Sequence, residues 1–346
     1  MRYLLLPLTW IYGLIVVLRN KLFDWGLLKA TSFPIPVVVV GNLSAGGTGK
    51  SPLVLQLAEE LGQHFRVGIL SRGYGRSTTG FFSVDAMSTA AQVGDEPMQY
   101  RYALKDVRVA VCEKRVEGIR EMLRRDPDIQ VMLLDDAFQH RWVRPGISIL
   151  LTDYSRPYYT DSLLPAGYLR EPVSGADRAD LIVMTKCPLD LTLEKRLEIA
   201  SKLKRRESQK VLFSYIRYRE LSDRLTGQKS DFTGLKGEKI LLVCGIANPE
   251  PLVTFLESCG ADVVSFTFPD HHAFSAGDGV AIRNKFLRSG AVRVLTTRKD
   301  SMRMDVPELR QHLDPLPIFI VEIQPGYFPD QKTPAAIISQ MIADRV

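Results

Sequence analysis

The sequence predicts an α/β protein built on parallel sheets in two lobes, and three observations carry that prediction. From Val37 onward, short apolar, β-branched runs alternate with longer amphipathic stretches, the pattern of parallel strands and crossover helices. The first of those runs feeds directly into a glycine-rich turn and a helix-like stretch. A chain of 346 residues, 45% hydrophobic, is long enough to bury two ordinary cores.

The N-terminal stretch MRYLLLPLTWIYGLIVVLRN is nearly all apolar, with Arg2 before the run and Arg19 and Lys21 after it. It falls short of the ~20 apolar residues of a spanning helix and contains Pro7 and Gly13, so it predicts an interfacial helix. Asn20, Lys21, Leu22 and Phe23 follow where a signal peptide needs small residues, which argues against export. Trp10, Tyr12 and the flanking cations suit a membrane interface; packing on the protein's own core is the alternative.

Strands are expected at Val37 to Gly41, Val67 to Ser71, Val107 to Val111, Val131 to Asp135, Ile147 to Asp153, Leu181 to Lys186 and Val211 to Tyr215. Between Arg217 and Lys239 the chain turns polar and charged, then apolar runs resume at Ile240 to Gly245, Val263 to Phe268, Val292 to Thr297 and Ile318 to Ile323. The expected division is an N-terminal helical segment 1–30, a first lobe 31–216, a linker 217–236 and a second lobe 237–346, with the C-terminal helix free to pack back on the first lobe.

Cys112, Cys187, Cys244 and Cys259 are widely spaced and form no CxxC pair, so neither a zinc site nor a disulfide framework is indicated. A net charge of +6 favours anionic partners without choosing among them. No basic helix, RNP-like aromatics or zinc finger supports nucleic-acid binding, and no obligate protein partner is implied.

The string VVVVGNLSAGGTGKSP has the form of a P-loop. Ser44, Ala45, Gly46, Gly47, Thr48, Gly49, Lys50 and Ser51 form the expected ATP cradle. Backbone N–H groups face the phosphates, Lys50 reaches the β and γ phosphates, and the Ser51 hydroxyl ligates Mg²⁺. One departure is that Ser44 stands where the usual spacing has glycine; Gly46 and Gly47 supply the flexibility, and Pro52 suits a first helical turn. DIQVMLLDDAFQHR reads as a second nucleotide-site strand, with Asp135 the expected Mg²⁺ ligand; the other reading is a strand ending in a turn or cap.

Further strings stand in order along the chain: SRGYGR from Ser71, GDEP from Gly94, LLDDAFQHR from Leu133, LPAGYLREP from Leu164, VMTKCP from Val183, GIANP from Gly245, FPDHH from Phe268 and TTRKD from Thr296. Together they resemble the tetraacyldisaccharide 4'-kinase family. The resemblance implies two α/β/α lobes joined by a two-stranded linker. It also implies ATP and Mg²⁺ as cofactors, tetraacyldisaccharide 1-phosphate as the lipid acceptor, and a cytoplasmic enzyme working at the inner-membrane surface. Ser51 stands where the family commonly has threonine, which keeps the hydroxyl.

On that resemblance Asp95 is the general base, Glu96 assists the metal, and His271 pairs with Asp95 when the lobes close. Without it, Asp95 and Glu96 read as a helix N-terminus and His271 as a polar loop residue. Arg72, Arg76, Arg115 and Arg170 are candidates for the substrate 1-phosphate or the transferring phosphoryl group, against the reading of solvated surface cations. His140 either meets the disaccharide or orients Asp136, and Lys186 is weighed as a base-reading lysine. Two competing readings are another membrane-associated P-loop ATPase or ligase, and a non-catalytic nucleotide-sensing scaffold. Neither accounts for GDEP and FPDHH.

Overall fold

The computed structural model describes residues 5–203, 206–270 and 272–344. In chain order the elements begin with α1 (Leu6–Asp24), β1 (Val37–Asn42), α2 (Lys50–Leu61), β2 (Val67–Ser71), β3 (Phe82–Val84), α3 (Ala90–Val93) and α4 (Asp95–Ala103). They continue with β4 (Arg108–Val111), α5 (Arg115–Arg125), β5 (Val131–Asp135), β6 (Ile147–Asp153), β7 (Leu181–Thr185), α6 (Leu193–Leu203) and β8 (Lys210–Asp223). The remainder is β9 (Lys229–Ser230), β10 (Lys239–Cys244), α7 (Glu250–Ser258), β11 (Asp262–Thr267), α8 (Ala276–Ser289), β12 (Arg293–Thr297), α9 (Arg298–Met304), α10 (Pro307–Leu313), β13 (Ile318–Tyr327) and α11 (Pro334–Ala343). Two compact units result, 1–216 with 325–346, and 217–324. The chain passes between them within β8 and within β13, so the charged stretch after Arg217 carries a strand that begins in the first unit.

In the first unit the strand order is β8-β7-β6-β1-β5-β2-β4-β3, parallel except for the antiparallel edge strand β3. Successive residues of β1 face opposite cores: Val37 and Val39 join one cluster with Ile119 of α5 and Ile199 of α6, and Val38 and Val40 join another with Leu57 of α2 and Ile338 of α11. Burial on both faces is why these strands read as unbroken apolar runs instead of alternating ones. The C-terminal segment is pinned to α2 by hydrogen bonds from Tyr327 Oη to Gln56 (3.0 Å) and from Thr333 Oγ1 to Glu60 (2.9 Å). β1 lies between β5 and β6, and the crossovers leave to opposite sides of it, which opens a ligand crevice at the carboxyl end of β1.

The second unit has parallel strands in the order β11-β10-β12-β13. Leu242 and Cys244 pack with α7 through Leu252 and Leu256, and Leu241 and Val243 with Ile282 of α8 and Leu309 of α10.

α1 is longer than its apolar run suggests. It has 19 residues and a mean hydropathy of 1.2, long and apolar enough by length and composition to cross a bilayer. Pro7 does not interrupt it, because it sits in the first turn, where a missing N–H is harmless. Gly13 allows close approach instead: a Cβ there would stand 2.9 Å from Leu163 Cδ1. The inward stripe combines Thr9, Tyr12, Gly13 and Asn20 with Val16, Leu22 and Phe23, while Trp10, Ile11, Leu14, Ile15 and Leu18 are exposed. An apolar stripe facing outward is the reverse of the usual arrangement of a surface helix.

Candidate active site

The turn between β1 and α2 has the shape its glycines require. Gly46 and Gly49 take positive φ values of 113° and 80°, backbone that side chains with a Cβ avoid. The loop is held from outside: Ala45 N donates to the Tyr168 carbonyl (2.7 Å), Thr185 Oγ1 to the Thr48 carbonyl (3.0 Å), and Lys186 Nζ to the Gly47 carbonyl (2.6 Å). Lys186 also pairs with Asp153 at 2.7 Å, which places it as a brace of the cradle. Lys50, at the start of α2, directs Nζ to Asn42 Oδ1 (3.2 Å) and lies 3.5 Å from Asp136 Oδ1.

The register Val40–Asp135 puts the end of β5 beside the end of β1. There the two aspartates separate. Asp135 is buried, accepts a hydrogen bond from Ser71 Oγ at 3.1 Å, and has an Oδ1 with no hydrogen-bond partner. Burial, reinforced by Asp136 next to it, pushes its pKa up to about 6. Asp136, in left-handed backbone with φ of 46°, accepts from Arg170 at both oxygens, Nη1 at 3.1 Å and Nη2 at 2.7 Å. Burial opposes its charge, but these bonds and Lys50 outweigh burial and hold its pKa near 2.

The GDEP string opens α4, with Asp95 and Glu96 in the first turn and Gly94 before them at a φ of 95°. A Cβ on Gly94 would stand 3.1 Å from the Tyr74 carbonyl and 3.2 Å from Gly73 Cα, and one on Gly73 would stand 2.7 Å from the Val93 carbonyl. GDEP and SRGYGR therefore meet backbone to backbone, with no room for a side chain at either glycine. One turn further along α4, Tyr100 is fully buried with its hydroxyl near Asp135 and Ser51, and burial raises its pKa well above normal. Ser51, Glu96 and Asp135 are hard oxygen donors near one another, and the unpartnered Asp135 Oδ1 suits a cation. They fit Mg²⁺, which takes one or two protein oxygens and completes its shell with phosphate and water.

LREP and DAFQHR tie this centre to α1. Glu171 is fully buried and accepts from Arg178 (2.9 and 2.8 Å), Gln139 (2.9 Å) and Asn20 of α1 (3.1 Å). Gln139 also donates to the Asn42 carbonyl at 2.8 Å, and Tyr12 of α1 donates to the Arg170 carbonyl at 2.7 Å. His140 is partly buried, and burial together with the charges of Arg115, Arg19 and Arg72 drives its pKa down to about 4. This is an electropositive neighbourhood that keeps the imidazole neutral.

The chain has relatives among known proteins. Residues 1–343 match the family model described as tetraacyldisaccharide-1-P 4'-kinase. The chain belongs to that family. A tetraacyldisaccharide 4'-kinase of Flavobacterium johnsoniae is 44% identical over 318 residues, 92% of each chain. One of Cytophaga hutchinsonii is 39% identical over 351 residues, covering 100% of this chain and 97% of the relative. The crystal structure of LpxK from Aquifex aeolicus, in complex with ATP, matches 99% of both chains with a TM-score of 0.78 and 29% identity.

Within this kinase-family chain, the first unit brings Ser44 through Ser51, Glu96, Asp135, His140 and Arg170 to the carboxyl ends of β1 and β5. Two of the arginines expected at a phosphate stand differently. Arg76 is turned inward, its side chain 2% exposed, and donates to Glu113, Thr78 and the Gly80 carbonyl. Arg115 is buried and donates to the carbonyls of Cys112, Glu113 and Asp135, so it braces β5; burial lowers its pKa to about 10. Arg72, the second residue of SRGYGR, is exposed. His271 lies outside the described residues. Sequence reading passed over Asn42, Asp136 and Tyr100 as site residues. The Asn closing the VVVVGN strand and the doubled aspartate were the available signals, and Tyr100, an ordinary helix aromatic in sequence, gave none.

Proposed function

We propose that this chain transfers the γ-phosphoryl group of ATP to the 4'-hydroxyl of a tetraacylated glucosamine disaccharide 1-phosphate at the cytoplasmic face of the inner membrane. The observation that carries the reading is the convergence of the Lys50 cradle, the Asp135–Asp136 pair and the GDEP turn beyond the carboxyl ends of the sheet's central strands, in a chain of this family. Positioning and charge neutralisation dominate phosphoryl transfer. Backbone N–H groups of residues 44–51 and the Lys50 ammonium hold the phosphates and offset charge on the transferring group. Ser51, Asp135 and Glu96 would hold Mg²⁺, which when bound neutralises charge between the β and γ phosphates. Asp95 Oδ accepts the acceptor hydroxyl's proton as the new O–P bond forms and the bond to ADP breaks. Asp136 and Arg170 orient Lys50 and the loop after β1. His271 is assigned as a second catalytic group, and Arg72, Arg170 and His140 as contacts to the anionic headgroup.

The exposed apolar face of α1 is assigned to the bilayer, where the acyl chains of the acceptor reside. Asp95→Asn tests the assignment: ATP affinity stays within about threefold while turnover falls by about 100-fold or more, the range for removing a general base. Turnover close to wild type from Asp95→Asn would exclude Asp95 as that base.

A further inference from the structure

Tyr100 has no part in the chemistry proposed above, yet its hydroxyl lies at the centre of it. It is the sixth residue of α4, four after Glu96, so the two side chains share a face of the helix. Its ring is fully buried in the core cluster that holds Leu53 and Val54 of α2 and Val111 of β4. Its Oη lies beside the Asp135 carboxylate and the Ser51 hydroxyl, two of the oxygens assigned to Mg²⁺. Phenylalanine would fill the core equally well. A phenol hydroxyl sealed from water with nothing to bond is destabilising, and Tyr100 Oη and Asp135 Oδ1 are both buried without a hydrogen-bond partner.

We infer that Tyr100 is a positioning residue for the kinase reaction: when the site is loaded, its hydroxyl donates to Asp135 Oδ1 and holds that carboxylate in the orientation in which it ligates Mg²⁺. This inference rests on the assignment of Asp135 to the metal. The rest of Asp135 is already held, with Ser71 Oγ donating to Oδ2 at 3.1 Å and Arg115 Nη2 to the backbone carbonyl at 3.2 Å. One donor leaves a carboxylate free to pivot about that bond, and a second donor at the other oxygen fixes its plane. Oδ1 has two lone pairs, so it can accept from the phenol and still offer one to a cation. Partners that orient a metal ligand in this way are typically worth about 10–100-fold in metal affinity. A tyrosine with a purely structural part would contribute its ring and nothing more.

The test titrates Mg²⁺ against the full chain, for wild type, Tyr100→Phe, Asp135→Asn and the double variant. Affinity for the non-hydrolysable analogue adenylyl imidodiphosphate is read by calorimetry, first in EDTA and then at rising free Mg²⁺. Expected for Tyr100→Phe is wild-type affinity in EDTA and a midpoint in Mg²⁺ raised by about tenfold or more, with the double variant no worse than Asp135→Asn, the signature of residues acting through one another. Tyr100→Phe keeps the ring, so the core stays filled and the variant folds. The inference is overturned if Tyr100→Phe responds to Mg²⁺ as wild type does, above all with a raised melting temperature, which would mark an idle hydroxyl. It is likewise overturned if the Tyr100→Phe loss persists in the Asp135→Asn background. A wild-type Mg²⁺ response from Asp135→Asn itself would remove the metal assignment of that carboxylate, and this inference with it.

Discussion

Arg170 grips Asp136 with both terminal nitrogens, at 3.1 and 2.7 Å, and the same guanidinium donates to the Asn42 carbonyl at 3.0 Å and to its side-chain oxygen. LREP thereby fixes the two acceptors, Asn42 and Asp136, between which Lys50 is held. A lysine at this position keeps the charge but not the planar fork. Arg170→Lys is therefore expected to lower kcat/KM by about tenfold and Arg170→Ala by more, read from initial rates at saturating lipid.

The contact between Gly73 and Gly94 sets the position of Asp95. Gly94→Ala meets both a positive φ and the Gly73 backbone, so a stability loss of about 1–3 kcal/mol is expected, together with a kcat loss of about tenfold or more. Denaturant melts and kinetics on the same preparation check it. An alanine variant that is less stable but equally fast would disconnect the contact from catalysis.

His140 gives a pH dependence with a definite sign. Its pKa falls from 6.5 to about 4 on folding, so between those values the unfolded chain binds more protons than the folded one. The stability it contributes is present above the unfolded value and is lost as pH falls through this window. His140→Gln should flatten the fall in melting temperature from about pH 7 to about pH 5 relative to wild type. An identical slope in both proteins would contradict the buried, neutral imidazole.

The exposed face of α1 predicts bilayer binding separable from stability. Leu14→Ser, Ile15→Ser and Leu18→Ser together remove apolar surface that the fold does not bury. Each side chain is worth about 1.5–3 kcal/mol when fully transferred from water, so co-sedimentation with phospholipid vesicles should fall by about 100-fold or more at an unchanged melting temperature. Undiminished vesicle binding would remove the membrane assignment of this face.

The parallel sheets and the cradle were legible because their physics is local: β-branched runs buried on both faces, and a glycine turn feeding Lys50. What escaped was decided by tertiary partners. Asp135 and Asp136 are chemically identical in the sequence; burial and the charge of its neighbour raise the first to about 6, while the Arg170 bonds and Lys50 outweigh burial and hold the second near 2. Arg76 and Arg115 read as phosphate-seeking cations until Glu113 and the carbonyls around β5 are seen to hold them. Pro7 and Gly13 looked like interruptions of α1, but a first-turn proline and a glycine facing Leu163 are what seat the helix.

The central claim is transfer of a phosphoryl group to a lipid hydroxyl from nucleotide held by Lys50. The most direct measurement is the appearance of labelled lipid when the purified protein is given γ-labelled ATP, Mg²⁺ and tetraacyldisaccharide 1-phosphate, with Lys50→Ala alongside. Labelled lipid from wild type, reduced by about 100-fold or more in folded Lys50→Ala, is the predicted result. ATP hydrolysis by folded wild type without labelled lipid would contradict the account and favour a P-loop ATPase of another kind.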